Sequence, residues 1–304
     1  MVLRVAGSTK LDLEKQHPSD EVKRSVRSLR ADTFARSWPL DEEIREIATA
    51  FPSHSFLANP SGQYAYIYLT RFVQAFSEKH FHHPFRDLTI LDWGCGKGHV
   101  SKLIRALGPK RLDSCDIQSG ASDSTFGQDV PIIQRYNIAV TPLKHEYFLP
   151  YEPETFDILL SFGVLEHVAN QRSSLAEISR VLKPGGLFFC FFLPTRFSWT
   201  QQVSRWRGEN YHDRLYTPAS VRQLLHDGGL ELIDIWYRQF LPKNSVRYPK
   251  FRLFEKLDLF ITEKTPLRYL ATNVEFISVK SPSNAAIDKS SQNLTFSGTP
   301  GGRV

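Results

Sequence analysis

The segment from Leu88 to Gly98, LTILDWGCGKG, constrains the fold more than any other part of this 304-residue chain. An apolar run ends at Asp92, and Gly94, Gly96 and Gly98 follow at alternate positions before a helical pattern begins. Glycine has no β-carbon, so it permits a tight turn from strand to helix and lets a ligand lie against the backbone. The spacing differs from the G-x-G-x-x-G and G-x-x-x-x-G-K-[ST] patterns. We therefore expect a strand, a ligand-binding loop and a helix, with a simple tight turn as the alternative.

Beyond this segment, short apolar runs alternate with helical patterns, which is typical of an α/β fold with a mainly parallel sheet. A turn is predicted at Lys183-Pro184-Gly185-Gly186, and a helix is predicted to start at Thr217-Pro218 and to stop at Gly228 and Gly229. The predicted strands are Thr89–Asp92, Arg111–Asp116, Val130–Gln134, Phe156–Phe162, Leu187–Leu193, Glu231–Tyr237 and Val274–Val279. The predicted helices of this part are His99–Leu107, Gln171–Leu182 and Pro218–His226.

The chain divides into three parts by pattern. Residues 1–85 are predicted to form an N-terminal helical extension or cap, with helical patterns at 20–38, 44–51 and 61–81. Residues 86–280 carry the α/β pattern. Residues 281–304 are polar and contain few apolar side chains, so we predict a disordered tail there.

A second acidic residue strengthens the ligand-binding interpretation of the glycine loop. Asp116 ends the run RLDSCD, at the expected end of the second strand. A carboxylate in this position can accept hydrogen bonds from both hydroxyls of a ribose. The alternatives are an ordinary strand-end aspartate and, only if the strand is irregular, Asp113 in the same role.

Charge and cysteine content exclude some classes of protein. The net charge of +6 excludes an acidic solvating chain and permits contact with a polyanion without requiring it. The longest apolar run, Leu187–Leu193, is too short to span a membrane as a helix. Cys95, Cys115 and Cys190 fit neither a disulfide framework nor a zinc knuckle. With no signal-peptide pattern at the N-terminus, these features predict a cytoplasmic protein.

Four signals occur in the order of a known family. They are the D-x-G-x-G-x-G loop, Asp116, the pair Phe156-Asp157 followed by LEHV at 165–168, and RVLKPGG at 180–186. Over about residues 86–237 the chain resembles a class I S-adenosylmethionine-dependent methyltransferase of the small-molecule, type 11-like group. The resemblance implies a Rossmann-like seven-stranded sheet with helices on both faces and an antiparallel last strand.

The resemblance also implies where the cofactor, S-adenosyl-L-methionine, binds. The glycine loop would hold its methionine end, Asp116 its ribose and Ile117 its adenine. Where many members carry an aspartate for the adenine amino group, this sequence has His145-Glu146, so Glu146 takes that place. The implied cofactor-binding residues are Asp92, Gly94, Cys95, Gly96, Gly98, Asp116, Ile117 and Glu146.

His167 is the candidate general base. Methyl transfer needs a base only if the acceptor is a hydroxyl or a protonated amine, and in this family the residue often only organises its loop. In the similar ubiquinone-type O-methyltransferases two glutamates and this histidine bind a metal. Here the first of those glutamates is Gly163, which leaves Glu166 and His167 as an incomplete set, so no metal is predicted.

Acceptor-binding insertions are expected at about 195–217 and 240–270. In the first, Tyr211 and His212 are the candidate substrate residues, whereas Trp199 and Trp206 either line the acceptor site or pack on the core. In the second, Lys243 to Lys256 is basic with interleaved aromatic residues, which fits a nucleic-acid or anionic-membrane face or simply a solvated basic surface.

These observations predict methyl transfer to an oxygen or nitrogen of a small molecule such as a lipid, polyketide or sugar intermediate. The alternatives are an RNA or protein methyltransferase and a cofactor-binding scaffold without catalysis. A nucleic acid is the less favoured partner, because Ser161–Val164 lacks the Asn/Asp-Pro-Pro-aromatic tetrad that grips an extruded base. The acceptor atom and the oligomeric state stay open.

Overall fold

A seven-stranded sheet forms the centre of the computed structural model, which describes residues 20–36, 59–117, 131–145, 147–208, 214–243, 246 and 250–281. The strands are β1 (Thr89–Trp93), β2 (Arg111–Ile117), β3 (Val140–Leu143), β4 (Phe156–Phe162), β5 (Leu182–Pro194), β6 (Leu230–Arg238) and β7 (Asn273–Lys280). The α-helices in the described ranges are α1 (Asp20–Arg36), α2 (Pro60–Phe81), α3 (His99–Ala106), α4 (Pro131–Arg135), α5 (Gln171–Val181), α6 (Trp199–Trp206), α7 (Pro218–Asp227) and α8 (Lys250–Lys264), with 3₁₀ helices at Phe85–Asp87 and Pro266–Leu270.

The strand order is β3-β2-β1-β4-β5-β7-β6. The pairs from β3 to β5 are parallel, and β7 runs antiparallel to both β5 and β6. The predicted mainly parallel sheet with an antiparallel last strand is therefore confirmed. Because the chain winds one way from β1 to β3 and the other way from β4 onward, the order reverses between β1 and β4. Ligands of such sheets bind at this reversal, beyond the carboxyl ends of the strands.

Successive strand residues point to opposite faces of the sheet, and each face is covered by helices. Ile90 and Phe189 belong to the buried cluster that includes α2 and α3. Leu91 and Phe188 belong to the cluster that includes α5 and α7. Helices on both faces are thus confirmed, and the N-terminal helix α2 is an integral part of one layer.

The predicted strand at Val130–Gln134 is wrong. Pro131–Arg135 forms α4, and the third strand is Val140–Leu143. A short apolar run does not distinguish a strand from a helix by periodicity. Pro142 lies inside β3, which is possible because β3 is the edge strand of the sheet and a proline there removes no essential ladder bond.

The predicted turn before the fifth strand is a bulge within it. β5 begins at Leu182, and its pairing with β4 shifts between Phe156 and Ile158, which accommodates the extra residues of the Lys183–Gly186 segment. Gly185 has a φ of +76°, which a residue without a β-carbon adopts readily.

The other helix predictions agree with the structure where it describes them. Thr217 caps α7 by accepting from Ser220 N (3.2 Å), and the helix ends before Gly228. The predicted N-terminal helices at 20–38 and 61–81 correspond to α1 and α2, while the pattern at 44–51 and all of the tail but Ser281 lie outside the described residues. No helix among the described residues has the length and apolarity required to cross a bilayer.

Candidate active site

The glycine loop after β1 is fastened to the end of β2. The backbone N–H groups of Gly94 and Cys95 both donate to the Cys115 carbonyl oxygen, at 2.9 and 3.1 Å. Gly94, Gly96 and Gly98 have φ angles of +71°, +51° and +81°, a region that disfavours residues with a β-carbon. The alternation seen in the sequence is therefore a conformational requirement of this turn.

The three glycines differ in what surrounds them. A β-carbon on Gly94 would approach Val164 Cγ2 to 2.4 Å, and one on Gly98 would approach Ile133 Cγ1 to 2.7 Å. A β-carbon on Gly96 would meet no described atom within 4 Å. Gly94 and Gly98 thus allow close packing, whereas Gly96 faces open space in which a ligand can lie against the backbone.

Asp116 lies beside this open space. Its two carboxylate oxygens accept from Gly96 N (2.6 Å) and from Ile117 N (2.7 Å). Burial raises the pKa of Asp116, and these two hydrogen bonds oppose the shift. Ile117 follows at the surface, with 41% of its area exposed. The structure therefore places Gly96, Asp116 and Ile117 together at the reversal point of the sheet, whereas Asp113 is held by Arg111 at 2.9 Å.

Asp92 is buried and bonded to the protein. Its carboxylate accepts from the Ser101 hydroxyl at 2.5 Å, and Ser101 Oγ in turn accepts from Ser114 Oγ at 2.9 Å. Burial raises the pKa of Asp92 to about 7, which the Ser101 hydrogen bond opposes. This geometry ties the glycine loop to the first turn of α3. The thiol of Cys95 is also buried, and burial raises its pKa.

A cavity of about 350 Å³ lies at the carboxyl ends of β4, β5 and β6. The start of α2 and the loop after β4 close its sides. Val164, against which Gly94 packs, directly follows one lining residue, so the glycine loop borders the same region. Its described lining residues are Asn59, Ser61, Gly62, Ala65, Tyr66, Phe162, Gly163, Glu166, His167, Phe192, Gln239, Thr272 and Asn273.

Glu166 is the buried carboxyl of this cavity. Only 5% of the residue is exposed, and its Oε2 atom is buried without a hydrogen-bond partner among the described residues. Burial raises the pKa of Glu166 to about 7. Its other oxygen lies 3.9 Å from Nε2 of His167, whose side chain is 62% exposed. The carboxyl can therefore exchange a proton near neutral pH.

The loop that carries Glu166 and His167 is held in place by hydrogen bonds to its carbonyl oxygens. Arg214 donates to the carbonyl oxygens of Val168 and, at 3.0 Å, Ala169. Gln171 Nε2 donates to the Leu165 carbonyl at 2.7 Å and also contacts the hydroxyl of buried Tyr216. These contacts fix the position of Glu166 with respect to β4.

Two lining residues have strained backbones. Phe192 and Gln239 have φ angles of +67° and +64°, which residues with a β-carbon rarely adopt. Phe192 lies where the pairing of β5 with β7 shifts between Cys190 and Leu193. This bulge turns the backbone at the position where Phe192 lines the cavity.

The N-terminal helix supplies an aromatic wall. Tyr66 of α2 packs against His99 at a ring-centroid distance of 4.3 Å, and against Phe162 and Phe192 at 5.9 and 5.4 Å. Asn59 caps the same helix by accepting from Gly62 N at 2.9 Å. The 1–85 extension therefore contributes directly to the cavity.

Several predicted residues cannot be placed. Glu146, Tyr211 and His212 lie outside the described residues. Trp206 does not pack on the core, since 88% of it is exposed, whereas Trp199 donates from Nε1 to the Phe240 carbonyl at 2.8 Å. None of the described lining residues comes from 195–217 or 240–270, so the acceptor-binding insertions stay predictions.

Sequence reasoning missed most of the cavity. The sequence predicts Glu166 only as part of an incomplete metal set, and it predicts no role for Tyr66 or Phe192. The available signal is a lone glutamate that directly follows the apolar residues Val164 and Leu165, which suggests burial. Among the described residues, no group of three or more His, Cys, Asp or Glu side chains is placed to hold a metal ion.

Comparison with known proteins agrees with this geometry. A family model described as a methyltransferase domain matches residues 44–235. The chain is 30% identical over 161 residues to a ubiquinone biosynthesis O-methyltransferase of Maricaulis maris (strain MCS10), covering 49% of this chain and 61% of the relative. It is 30% identical over 163 residues to the enzyme of the same name from Rhizobium etli (strain CIAT 652), covering 50% and 63%. Each match spans less than two thirds of the relative's length.

A solved S-adenosylmethionine-dependent methyltransferase from Archaeoglobus fulgidus is 15% identical, with 69% of this chain and 94% of that chain covered and a TM-score of 0.44.

A doubly wound sheet with a glycine loop and a strand-end aspartate at its reversal point defines a nucleotide-binding α/β domain. The chain belongs to the methyltransferase domain family. Its cofactor is S-adenosyl-L-methionine.

Proposed function

We propose that this protein transfers a methyl group from S-adenosyl-L-methionine to an oxygen or nitrogen atom of a small molecule held in the 350 Å³ cavity. The observation that carries the proposal is the buried carboxyl of Glu166 in a cavity whose wall residue Gly163 directly precedes Val164, the residue against which Gly94 of the glycine loop packs. When bound, the cofactor supplies an electrophilic methyl group on a positively charged sulfur. The protein has then to hold the two molecules in line and to manage the acceptor's proton.

The residues around Gly96 fit the cofactor. The open space at Gly96 allows a ligand to contact the backbone, and a carboxylate oxygen that accepts one hydrogen bond retains a second lone pair. Asp116 can therefore accept from two ribose hydroxyls while still bonded to Gly96 and Ile117. We assign Ile117 to the adenine face and Asp92 to holding the loop, since its carboxylate already has protein partners. The role of Glu146 at the adenine amino group stays a prediction.

Glu166 is the group best placed to take the acceptor's proton. Its pKa of about 7 leaves a substantial ionised fraction at neutral pH, while the proton remains easily gained. Its Oε1 atom, which lies beside the cavity residues Gly163 and His167, would accept a hydrogen bond from an acceptor hydroxyl or amine and so orient it. His167 lies 3.9 Å away and at the cavity wall, where it can pass the proton to solvent or, as predicted from the sequence, act as the base itself.

The cavity favours a small acceptor. Its volume lies near the lower end of the range for small-molecule sites, ~300–1,000 Å³. Tyr66, Phe162 and Phe192 supply aromatic walls, and the amides of Asn59 and Asn273 supply polar contacts. This lining suits a flat or partly apolar molecule with a polar reacting group. The relatives named ubiquinone biosynthesis O-methyltransferases support a hydroxyl as the accepting group.

Two measurements test the proposal. Calorimetry on the full chain should detect binding of S-adenosyl-L-methionine, and a cofactor labelled in its methyl group should transfer label to a metabolite fraction. Label in RNA or protein would support those acceptors instead. Cofactor binding with no transfer to any fraction would contradict catalysis and would favour the non-catalytic scaffold.

A further inference from the structure

Helix α8 is unusual because it buries polar side chains and exposes apolar ones. An isolated surface helix normally turns its apolar stripe toward the core and its charges toward water. Here the core-facing side is largely polar and the outward side is largely apolar. The buried residues of α8 are Phe251, Glu255, Asp258 and Thr262. The exposed apolar residues are Leu253, Phe254, Leu257 and Phe260.

A buried ion cluster fixes this orientation. Lys243, only 2% exposed, contacts the carboxylates of Glu255 and Asp258, the latter at 2.7 Å from Nζ. The other Asp258 oxygen accepts from the backbone N–H groups of Phe240 (2.8 Å) and Leu241 (2.6 Å). Rotating the helix would leave the buried Lys243 without its partners, which is strongly unfavourable. Lys243 is thus not part of a basic surface, which corrects both sequence-based interpretations of 243–256 at this residue.

The apolar side continues beyond the helix. The 3₁₀ helix Pro266–Leu270 follows α8 and exposes two more leucines, Leu267 and Leu270, whereas its Tyr269 packs against Tyr237 of β6. We call the whole set the α8 surface. It consists of Leu253, Phe254, Leu257, Phe260, Leu267 and Leu270. Exposed apolar patches with charged rims mark interaction sites rather than ordinary surface.

The charges around the α8 surface are basic. Lys250, Arg252, Lys256 and Lys264 are exposed. Among the described residues of α8, every acidic side chain is buried or, like Glu263, half-buried, and the side chain of Glu263 lies 3.2 Å from Arg30. The partner of this surface must therefore accept both apolar side chains and positive charge.

We propose that the α8 surface docks on the surface of an anionic lipid bilayer. The leucine and phenylalanine side chains would enter the boundary between headgroups and acyl chains, while the lysine and arginine side chains meet lipid phosphates. A second copy of the chain fits less well, because a two-fold contact through this face would oppose the same cations. A nucleic acid would meet the cations but would leave the leucines without a role.

Docking through the α8 surface would bring the cavity close to the bilayer. The chain leaves the end of β6 at Gln239 and returns to β7 at Thr272, and both residues line the cavity. The α8 segment lies between them in the chain. A docked protein would thus hold the cavity end of its sheet close to the bilayer.

Sedimentation with vesicles tests the proposal on the full chain. Wild-type protein should sediment with vesicles of equal parts phosphatidylcholine and phosphatidylglycerol, and much less with phosphatidylcholine alone. Replacing both Leu253→Ser and Phe260→Ser should weaken binding at least ~10-fold, because two exposed anchors are lost. Replacing both Lys250→Glu and Lys256→Glu should remove the preference for anionic vesicles.

Matched substitutions elsewhere serve as controls. Phe148→Ser removes an equally exposed aromatic side chain on the loop after β3, and Lys110→Glu reverses an exposed charge before β2. Both should bind vesicles like the wild type, and all variants should unfold at similar temperatures. The proposal fails if wild-type protein stays in the supernatant, if the double serine variant binds unchanged, or if light scattering shows a dimer that the serine substitutions dissociate.

Discussion

Replacing Glu166 by glutamine is expected to stabilise the protein above neutral pH while it impairs methyl transfer. Burial raises the pKa of Glu166 from the ordinary value of 4.5 to about 7. Since each tenfold change in proton affinity is worth ~1.4 kcal/mol, keeping this carboxyl ionised in the folded state costs about 3 kcal/mol. Glutamine has nearly the same shape and no charge, so it avoids this cost.

The pH dependence follows from the direction of the shift. The folded protein binds the Glu166 proton more tightly than the unfolded chain, so the stabilisation from protonation is complete below about pH 4.5 and is lost as the pH rises through 7. The stability difference between Glu166→Gln and wild type should therefore grow by about 2.5 kcal/mol between pH 5 and pH 8. In a chain of this size that is a shift of several degrees in melting temperature.

Urea or thermal unfolding without cofactor, at several pH values, measures this difference. Glu177→Gln is the matched control, because hydrogen bonding from Arg180 lowers the pKa of Glu177. That substitution should destabilise at neutral pH, and its effect should fade as the pH falls through the lowered value. A constant difference between Glu166→Gln and wild type at all pH values would refute the reasoning.

Activity separates the roles of the two neighbouring residues. Glu166→Gln should lower turnover by ~10²-fold or more if this carboxyl takes the proton. His167→Ala should abolish turnover with intact cofactor binding only if the histidine is the base, and near-normal turnover would limit it to supporting the loop.

Two further predictions concern the cofactor-binding residues. Asp116→Ala should weaken S-adenosyl-L-methionine binding more than ~10-fold by calorimetry, since two charge-assisted hydrogen bonds are lost, whereas Asp113→Ala should leave the affinity unchanged. Equal affinities for wild type and Asp116→Ala would contradict the assignment of Asp116 to the ribose. Gly94→Ala should lower the unfolding free energy by ~2 kcal/mol or more, because its β-carbon would meet Val164 at 2.4 Å. Gly96→Ala should lower it by only ~1 kcal/mol and should act mainly on cofactor affinity. Equal destabilisation by the two substitutions would show that Gly96 does not face open space.

The strands of the central sheet were predictable because glycines, prolines and acidic residues mark their ends. β4 matches its predicted bounds, Phe156–Phe162, and β1 and β2 are each longer by one residue. The third strand failed because Val140–Leu143 is short and contains a proline, which only its edge position allows. Edge position is a property of the assembled sheet and cannot be seen in the local sequence.

The glycine loop and the acceptor cavity differ in predictability for a related reason. The glycine loop lies within one continuous segment, Asp92 to Gly98, so the spacing of its glycines is enough to predict the turn from strand to helix. The cavity gathers residues from 59 to 273, and its lining depends on how α2 crosses the sheet. The strain at Phe192 comes from a bulge against β7, a strand that follows about 80 residues later in the chain. No local pattern records such a contact.

Three unfavourable features meet in the cavity. They are a buried carboxyl oxygen without a described hydrogen-bond partner at Glu166 and the left-handed backbones at Phe192 and Gln239. Each costs on the order of 1–3 kcal/mol. The total is a considerable fraction of the ~5–15 kcal/mol by which folded domains are stable. Neighbouring contacts that serve only stability, such as the Arg214 anchors of the loop after β4, show that this region is otherwise well bonded. A fold under no functional demand would not concentrate such costs around one cavity, so their convergence supports the acceptor site independently of the family comparison.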